Sequence, residues 1–142
     1  MIRIFLDSSV LFSAAYSSRG RARDLILRAA RGELTLVVSD LVLEETRRNL
    51  AENAPHSLPS FHLIIETVSF ELIRPTKREV LDAAKVVVLK DAAILAAAKK
   101  AGVDLLVTLD RKHLLGKPAL EQFVGVPIVT PKQAVDSLKP LG

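Results

Sequence analysis

Apolar positions along this chain change period several times, and each change predicts an element. Ile4, Phe5 and Leu6 form a short β-rich run that stops at Asp7. The apolar spacing resumes at Val10, Leu11 and Phe12 and continues to Ala15, so a buried strand is expected to pass straight into a helix. Residues 17–20 (SSRG) interrupt the pattern. From Arg21 the spacing of Ala22, Leu25, Ile26, Ala29 and Ala30 is helical, and Gly32 stands where a C-terminal glycine belongs. Residues 33–38 predict a second strand, ended by Ser39 and Asp40. A helix is then expected from about Leu41 to Ala54, a break between Pro55 and Pro59, a helix from Phe61 to Val68, and a third strand over 71–73.

The second half repeats the alternation. Thr76 and Glu79 have the spacing of a capping box and predict a helix covering Val80 to about Val87. Lys90 and Asp91 mark the start of an alanine-rich helix that can pack close to a sheet, and Gly102 ends it. Residues 104–109 predict a fourth strand that stops at Asp110, with a turn or short helix over 111–115. Val126 to Val129 reads as a short edge strand, because Pro127 cannot donate to a ladder. Thr130, Pro131 and Gln133 then cap a last helix. Strands alternating with helices imply an α/β fold, with a parallel sheet of four to five strands and helices on both faces. No linker divides the chain, so one domain over 1–142 is expected.

Composition narrows the function classes. The 142 residues suit one domain with a full core, and 49% hydrophobic with 25% charged residues is ordinary for a globular chain. No run of ~20 apolar residues is present, so a membrane span is not expected. Neither is a leader, since the first strand begins next to Met1 without a basic and apolar prelude. A cytoplasmic location is the resulting expectation. The absence of cysteine excludes disulfides, thiol chemistry and thiolate zinc sites. The formal charge of +4 and a pI near 9.6 are compatible with a generic surface or with a polyanionic partner such as nucleic acid.

The acids carry the sharper signal. In a parallel sheet, Asp7 and Asp110 at two strand ends lie on the C-terminal rim, where ligands bind in open α/β folds. Glu45 lies early in the helix leaving the second strand, and Asp91 opens the helix that feeds the fourth, so both start from that rim. A single aspartate there is most simply a helix cap. Four carboxylates from four stretches are not so easily explained, because like charges raise one another's pKa. A hard divalent cation, Mg²⁺ or Mn²⁺, resolves the repulsion and supports metal-assisted phosphodiester hydrolysis. Arg19, Arg21, Lys90, Arg111 and Lys112 are candidates for holding the polyanion, although Arg19, Arg21 and Arg23 also read as a solvated face. Glu44 competes with Glu45, which is preferred because it shares a helical face with Leu41. Ser9 is expected to donate a hydrogen bond to Asp7 or its water, and Thr108 is expected to stand behind the acids as a supporting residue. Asp40 and Asp104 read as surface or cap residues. His56, His62 and His113 lie on different elements and read as packing or surface residues, with His113 near enough to the rim to touch substrate.

Through four stretches (Leu6 to Leu11, LDSSVL; Ser39 to Glu45, SDLVLEE; Lys90 to Ala98, KDAAILAAA; Leu105 to Leu114, LLVTLDRKHL), the chain resembles a PIN-domain nuclease over nearly its whole length. The resemblance implies a three-layer α/β/α sandwich and a Mg²⁺- or Mn²⁺-dependent ribonuclease with its acids at Asp7, Glu45, Asp91 and Asp110. It also implies a residue at Ser9 that supports the first aspartate. VapC-type members of this size are toxins, which implies RNA as substrate, a small antitoxin protein as partner, and a homodimer. One departure is that many members carry another acid shortly before the third, where this chain has Val87, Val88 and Leu89; that leaves the number of metals open. Two other readings stand beside this one: an RNA-processing nuclease without an antitoxin, and a non-catalytic PIN-like RNA-binding module, which would be expected to have lost an acid. A phosphatase with a nucleophilic aspartate would need a second acid two residues after Asp7, where Ser9 stands.

Overall fold

Arg3–Leu6, strand β1, sits at the centre of a five-stranded sheet in the computed structural model, which describes residues 1–138. Residues 139–142 of the expected domain lie outside the described part. The other strands are β2 (Thr35–Ser39), β3 (Glu71–Ile73), β4 (Leu105–Val107) and β5 (Ile128–Val129), in the order β3-β2-β1-β4-β5, with every pair parallel. Parallel strands need crossovers, and helices supply them. Helices α1 (Ser8–Tyr16), α2 (Arg21–Ala30), α3 (Asp40–Asn53) and α4 (Leu58–Thr67) carry the chain from β1 through β2 to β3. Helices α5 (Lys77–Ala83) and α6 (Leu89–Ala101) lead to β4, and α7 (Pro118–Val124) leads to β5. The strand order reverses between these two halves. Right-handed crossovers therefore put α1–α4 on one face and α5–α7 on the other. Helix α8 (Pro131–Ser137) returns to pack on α2. The result is an α/β/α sandwich.

Burial follows from this layering. Ile4, Phe5 and Leu6 are covered on both faces, as are Val37, Val38, Leu106 and Val107, so the central strands read as unbroken apolar runs. Ala92, Ala96, Ala97 and Ala98 give α6 a small-residue face, and all four are buried. Gly102 closes α6 at φ 62°, in the left-handed region where a residue without Cβ is least strained. Both expected capping boxes form, at Thr76 with Glu79 and at Thr130 with Gln133. At the far end of the sheet, Arg3 ties β1 to α6 and β3: its guanidinium donates to the Ala101 carbonyl at 2.7 Å and pairs with Glu71. Asp104 accepts from the Arg3 backbone N–H at 2.8 Å. No helix among the described residues is long and apolar enough to cross a membrane.

Several boundaries differ from the sequence expectation. Pro59 does not mark a break; a 3₁₀ turn over Pro55–Ser57 passes directly into α4, and Pro59 sits in its first turn, where no N–H is needed. Helix α5 stops at Ala83, ahead of the β-branched run Val86, Val87, Val88. Strand β4 ends at Val107, so Asp110 lies in the turn beyond it. Helix α7 was not expected from the pattern. It buries only Leu120 and Val124, too few apolar positions to show a helical period.

The alanine face of α6 yields a stability prediction. Ala97→Leu keeps helix propensity but forces a large side chain against the sheet, and is expected to destabilise the fold by about 1–3 kcal/mol. The check is a urea midpoint shift with unchanged m-value.

Candidate metal centre

Strand order reverses between β1 and β4, where open α/β sheets bind ligands beyond the C-terminal strand ends, and Asp7 stands at that point. Asp7 follows β1, caps α1 by accepting from the Val10 N–H at 3.3 Å, and is only 4% exposed. Its two carboxylate oxygens have separate partners. The Ser9 hydroxyl donates to Oδ1 at 2.5 Å, and the Thr108 hydroxyl, reaching across from the end of β4, donates to Oδ2. Both hydroxyls are themselves fixed from the β4 side: Ser9 Oγ accepts from the Leu109 N–H at 3.1 Å and Thr108 Oγ1 from the Asp110 N–H at 3.0 Å. Burial pushes the Asp7 carboxyl above its ordinary pKa, and the hydroxyl hydrogen bonds oppose that rise.

Asp91 and Asp110 form the tightest cluster. Asp91 lies in the first turn of α6, which begins at Leu89 with no side-chain cap, so Asp91 does not cap the helix. It is 7% exposed, and its buried Oδ2 has no hydrogen-bond partner. Asp110 is held by its own turn. Its Oδ1 accepts from the Lys112 and His113 N–H groups at 3.1 and 2.9 Å, leaving Oδ2 facing His113 Nδ1 at 3.2 Å. The same Nδ1 is 4.0 Å from Asp91 Oδ2. Ligand atoms of Asp91, Asp110 and His113 all lie within 4.8 Å of one another. The sequence reading treated His113 as a packing or surface residue near the rim; the structure puts its ring between two acids. The Asp110-x-x-His113 spacing, which folds both side chains into one turn, was the signal for it.

Glu45 completes the acidic surround. It is half-buried on α3, whereas Glu44 faces solvent and is occupied by Arg47 at 2.7 Å and Arg48 at 3.7 Å. The Glu45 carboxyl is raised above its ordinary value by burial first, then by the charges of Asp91 and Asp7; Arg48 and Lys90 oppose the rise. Asp91 is raised by burial and by Asp110, with Lys90 and His113 opposing. Asp110 goes the other way: burial acts to raise it, but the hydrogen bonds and charge of His113 and the Lys112 N–H outweigh that and hold it low.

The basic candidates divide. Arg111 and Lys112 are exposed in the turn that carries Asp110. Arg19 and Arg21 lie outside the acid cluster. They lie past the C-terminal end of α1, whose nine residues run roughly 13 Å away from Asp7. Arg21 pairs there with Asp24 at 3.7 Å and acts on Asp136 near the end of α8. Asp40 pairs with Arg74 on the surface.

A divalent cation fits what is present: a buried carboxylate oxygen without a donor, a second carboxylate with one oxygen turned toward it, and two more acids in electrostatic reach. The fold and this cluster define a class, the parallel α/β/α domains that gather acids where strand order reverses. Within it, the chain belongs to the PIN domain family, whose model matches residues 4–115. The match covers every acid of the cluster and stops before α7. No curated protein sequence matches the chain. Solved structures with a similar fold include PAE2754 from Pyrobaculum aerophilum, 19% identical with a TM-score of 0.65 over 95% of this chain and 94% of that one. VapBC2 from Rickettsia felis, bound to a DNA fragment from its promoter, is 10% identical with a TM-score of 0.62 over 91% and 98%. VapC20 from Mycobacterium tuberculosis, described as a toxin cleaving the sarcin-ricin loop, is 18% identical with a TM-score of 0.55 over 77% and 91%. At these identities the likeness is one of fold.

The raised carboxyls make stability without metal depend on pH. Asp7, Glu45 and Asp91 bind a proton more tightly folded than unfolded, so their contribution is fullest below the ordinary carboxylate range and is lost as pH rises through their raised values. Asp110 has the opposite sign, its contribution being lost as pH falls through its lowered value. Asp91→Asn is therefore expected to stabilise the metal-free protein at pH 7 by on the order of 1 kcal/mol and to change it little near pH 4. Denaturant unfolding in EDTA at both pH values checks this.

Proposed function

We propose that this protein is a divalent-metal-dependent endoribonuclease of the VapC type, the toxin of a type II toxin–antitoxin pair. The observation that carries the reading is the buried, unpartnered Asp91 Oδ2 set beside Asp110, with Glu45 in electrostatic reach of both Asp91 and Asp7. Membership of the PIN family supports nuclease chemistry. The sarcin-ricin-loop-cleaving activity named for VapC20 supports RNA as the substrate, and the VapBC2 complex supports an antitoxin partner.

In this reading Asp91 and Asp110 hold Mg²⁺ or Mn²⁺, with Asp7 and Glu45 as the further acids of the site. When bound, the ion offsets charge on the phosphoryl oxygens and lowers the pKa of water. The protein's own share is positioning. Thr108 and Ser9 lock the Asp7 carboxylate in one orientation, so it cannot swing away when the charge in the crevice changes. The turn N–H groups of Lys112 and His113 hold Asp110 in its ionised form. Arg111 and Lys112, exposed beside the acids, take the phosphates flanking the scissile bond. Their contribution is electrostatic and falls as salt rises.

Cleavage of a structured RNA is expected with Mn²⁺ or Mg²⁺ and not with EDTA. Asp7→Asn and Asp91→Asn each lower the rate on the order of 10²-fold or more. Activity that survives chelation, or either substitution, would contradict the reading. Suppression of cleavage by a small protein encoded in the adjacent reading frame tests the toxin role separately.

A further inference from the structure

His113 is the one nitrogen donor in an otherwise carboxylate cluster. Its Nδ1 lies 3.2 Å from Asp110 Oδ2 and 4.0 Å from Asp91 Oδ2. The shorter contact lies at the long end of the ordinary N–H···O range, about 2.7–3.2 Å. It matches the spacing of two neighbouring donors on one ion, about 3.0 Å when each bond is about 2.1 Å. The longer contact falls inside the span that two donors on one ion can reach. Neither carboxylate oxygen is committed elsewhere: Asp110 binds its turn through Oδ1, and Asp91 Oδ2 is buried without a partner. The backbone that carries the ring is also held in place. The His113 N–H donates to Asp110 at 2.9 Å, so backbone and side chain belong to the same short turn.

The geometry points to His113 as a metal ligand through Nδ1, giving a site of two carboxylates and one imidazole that prefers first-row transition ions such as Mn²⁺ over Mg²⁺. The inference rests on the metal-dependent reading above and sharpens it. Its chemical basis is donor type. Mg²⁺ favours oxygen donors and gives up water reluctantly, whereas an imidazole nitrogen adds affinity for transition ions. A cluster built only from the four acids would not discriminate in this way. His113 is thus assigned a part in choosing the ion, beyond steadying Asp110.

The test binds Mn²⁺ or Mg²⁺ alone to the purified protein, by calorimetry, in the wild type, His113→Asn and His113→Phe. Electron spin echo spectra of the Mn²⁺-loaded proteins read directly bonded nitrogen, and circular dichroism confirms that each variant is folded. The wild type is expected to bind Mn²⁺ more tightly than Mg²⁺ and to show ¹⁴N coupling. His113→Asn, which can keep a hydrogen bond to Asp110, is expected to lose that coupling and to reduce the Mn²⁺-over-Mg²⁺ preference by roughly tenfold or more. Mn²⁺ bound without nitrogen coupling, or a preference unchanged in His113→Asn, overturns the assignment while leaving a metal site standing. Failure of the wild type to bind either ion overturns both this assignment and the metal-dependent nuclease reading.

Discussion

The hydrogen bond from Thr108 to Asp7 joins the two strands between which the order of the sheet reverses. Asp7 follows β1, the middle strand, and Thr108 follows β4, so the contact ties the two strand ends together beside the backbone bond from the Asp7 N–H to the Val107 carbonyl at 3.2 Å. Ser9 makes the second link by accepting the Leu109 N–H while donating to Asp7. The Asp110 N–H then rests on Thr108, which sets the position of the turn holding Asp110 and His113. A carboxylate this deeply buried is tolerable only with several donors, and it has them. Those donors are also what orient its neighbours.

The crevice is electrostatically expensive. Asp7, Glu45 and Asp91 are all pushed above their ordinary pKa values, and burial is the leading cause in each case. Only Asp110 is held low, by the N–H groups of its own turn and by His113. A fold selected for stability alone would replace Asp91 with a small apolar residue, since its Oδ2 gains no hydrogen bond. The arrangement makes physical sense if the missing partner is a cation. Protein dipoles and flanking Lys90 and Arg48 reduce the repulsion without removing it. The rest of the sandwich, with both faces of the central strands covered, supplies the rigidity that keeps the acids together.

The sheet was readable from the chain because buried parallel strands leave short apolar runs, and the reversal at Asp7 marked a rim. The parallel topology alone was enough to direct Glu45 and Asp91 to the same rim as Asp7. What the pattern could not supply was the path of residues 108–113. Leu109 continues the apolar run, so the sequence extends the strand to it. In the structure its N–H is taken by the Ser9 side chain, which turns the chain out of the sheet. That departure is a long-range event, set by a residue 100 positions earlier. It also decides the fate of His113, which the pattern leaves as a packing or surface residue near enough to the rim to touch substrate. Arg19 and Arg21, a basic cluster beside the first motif in sequence, are separated from the acids in space by the length of α1.

In the proposed reading these acids are gathered for a divalent cation. Anomalous diffraction from crystals grown with Mn²⁺, collected so that the ion's signal is distinct, tests it most directly. A peak within coordination distance of Asp91 Oδ2 and Asp110 Oδ2 is the predicted result. Crystals that show no peak in the crevice at saturating Mn²⁺, or a peak only elsewhere on the surface, would contradict the account.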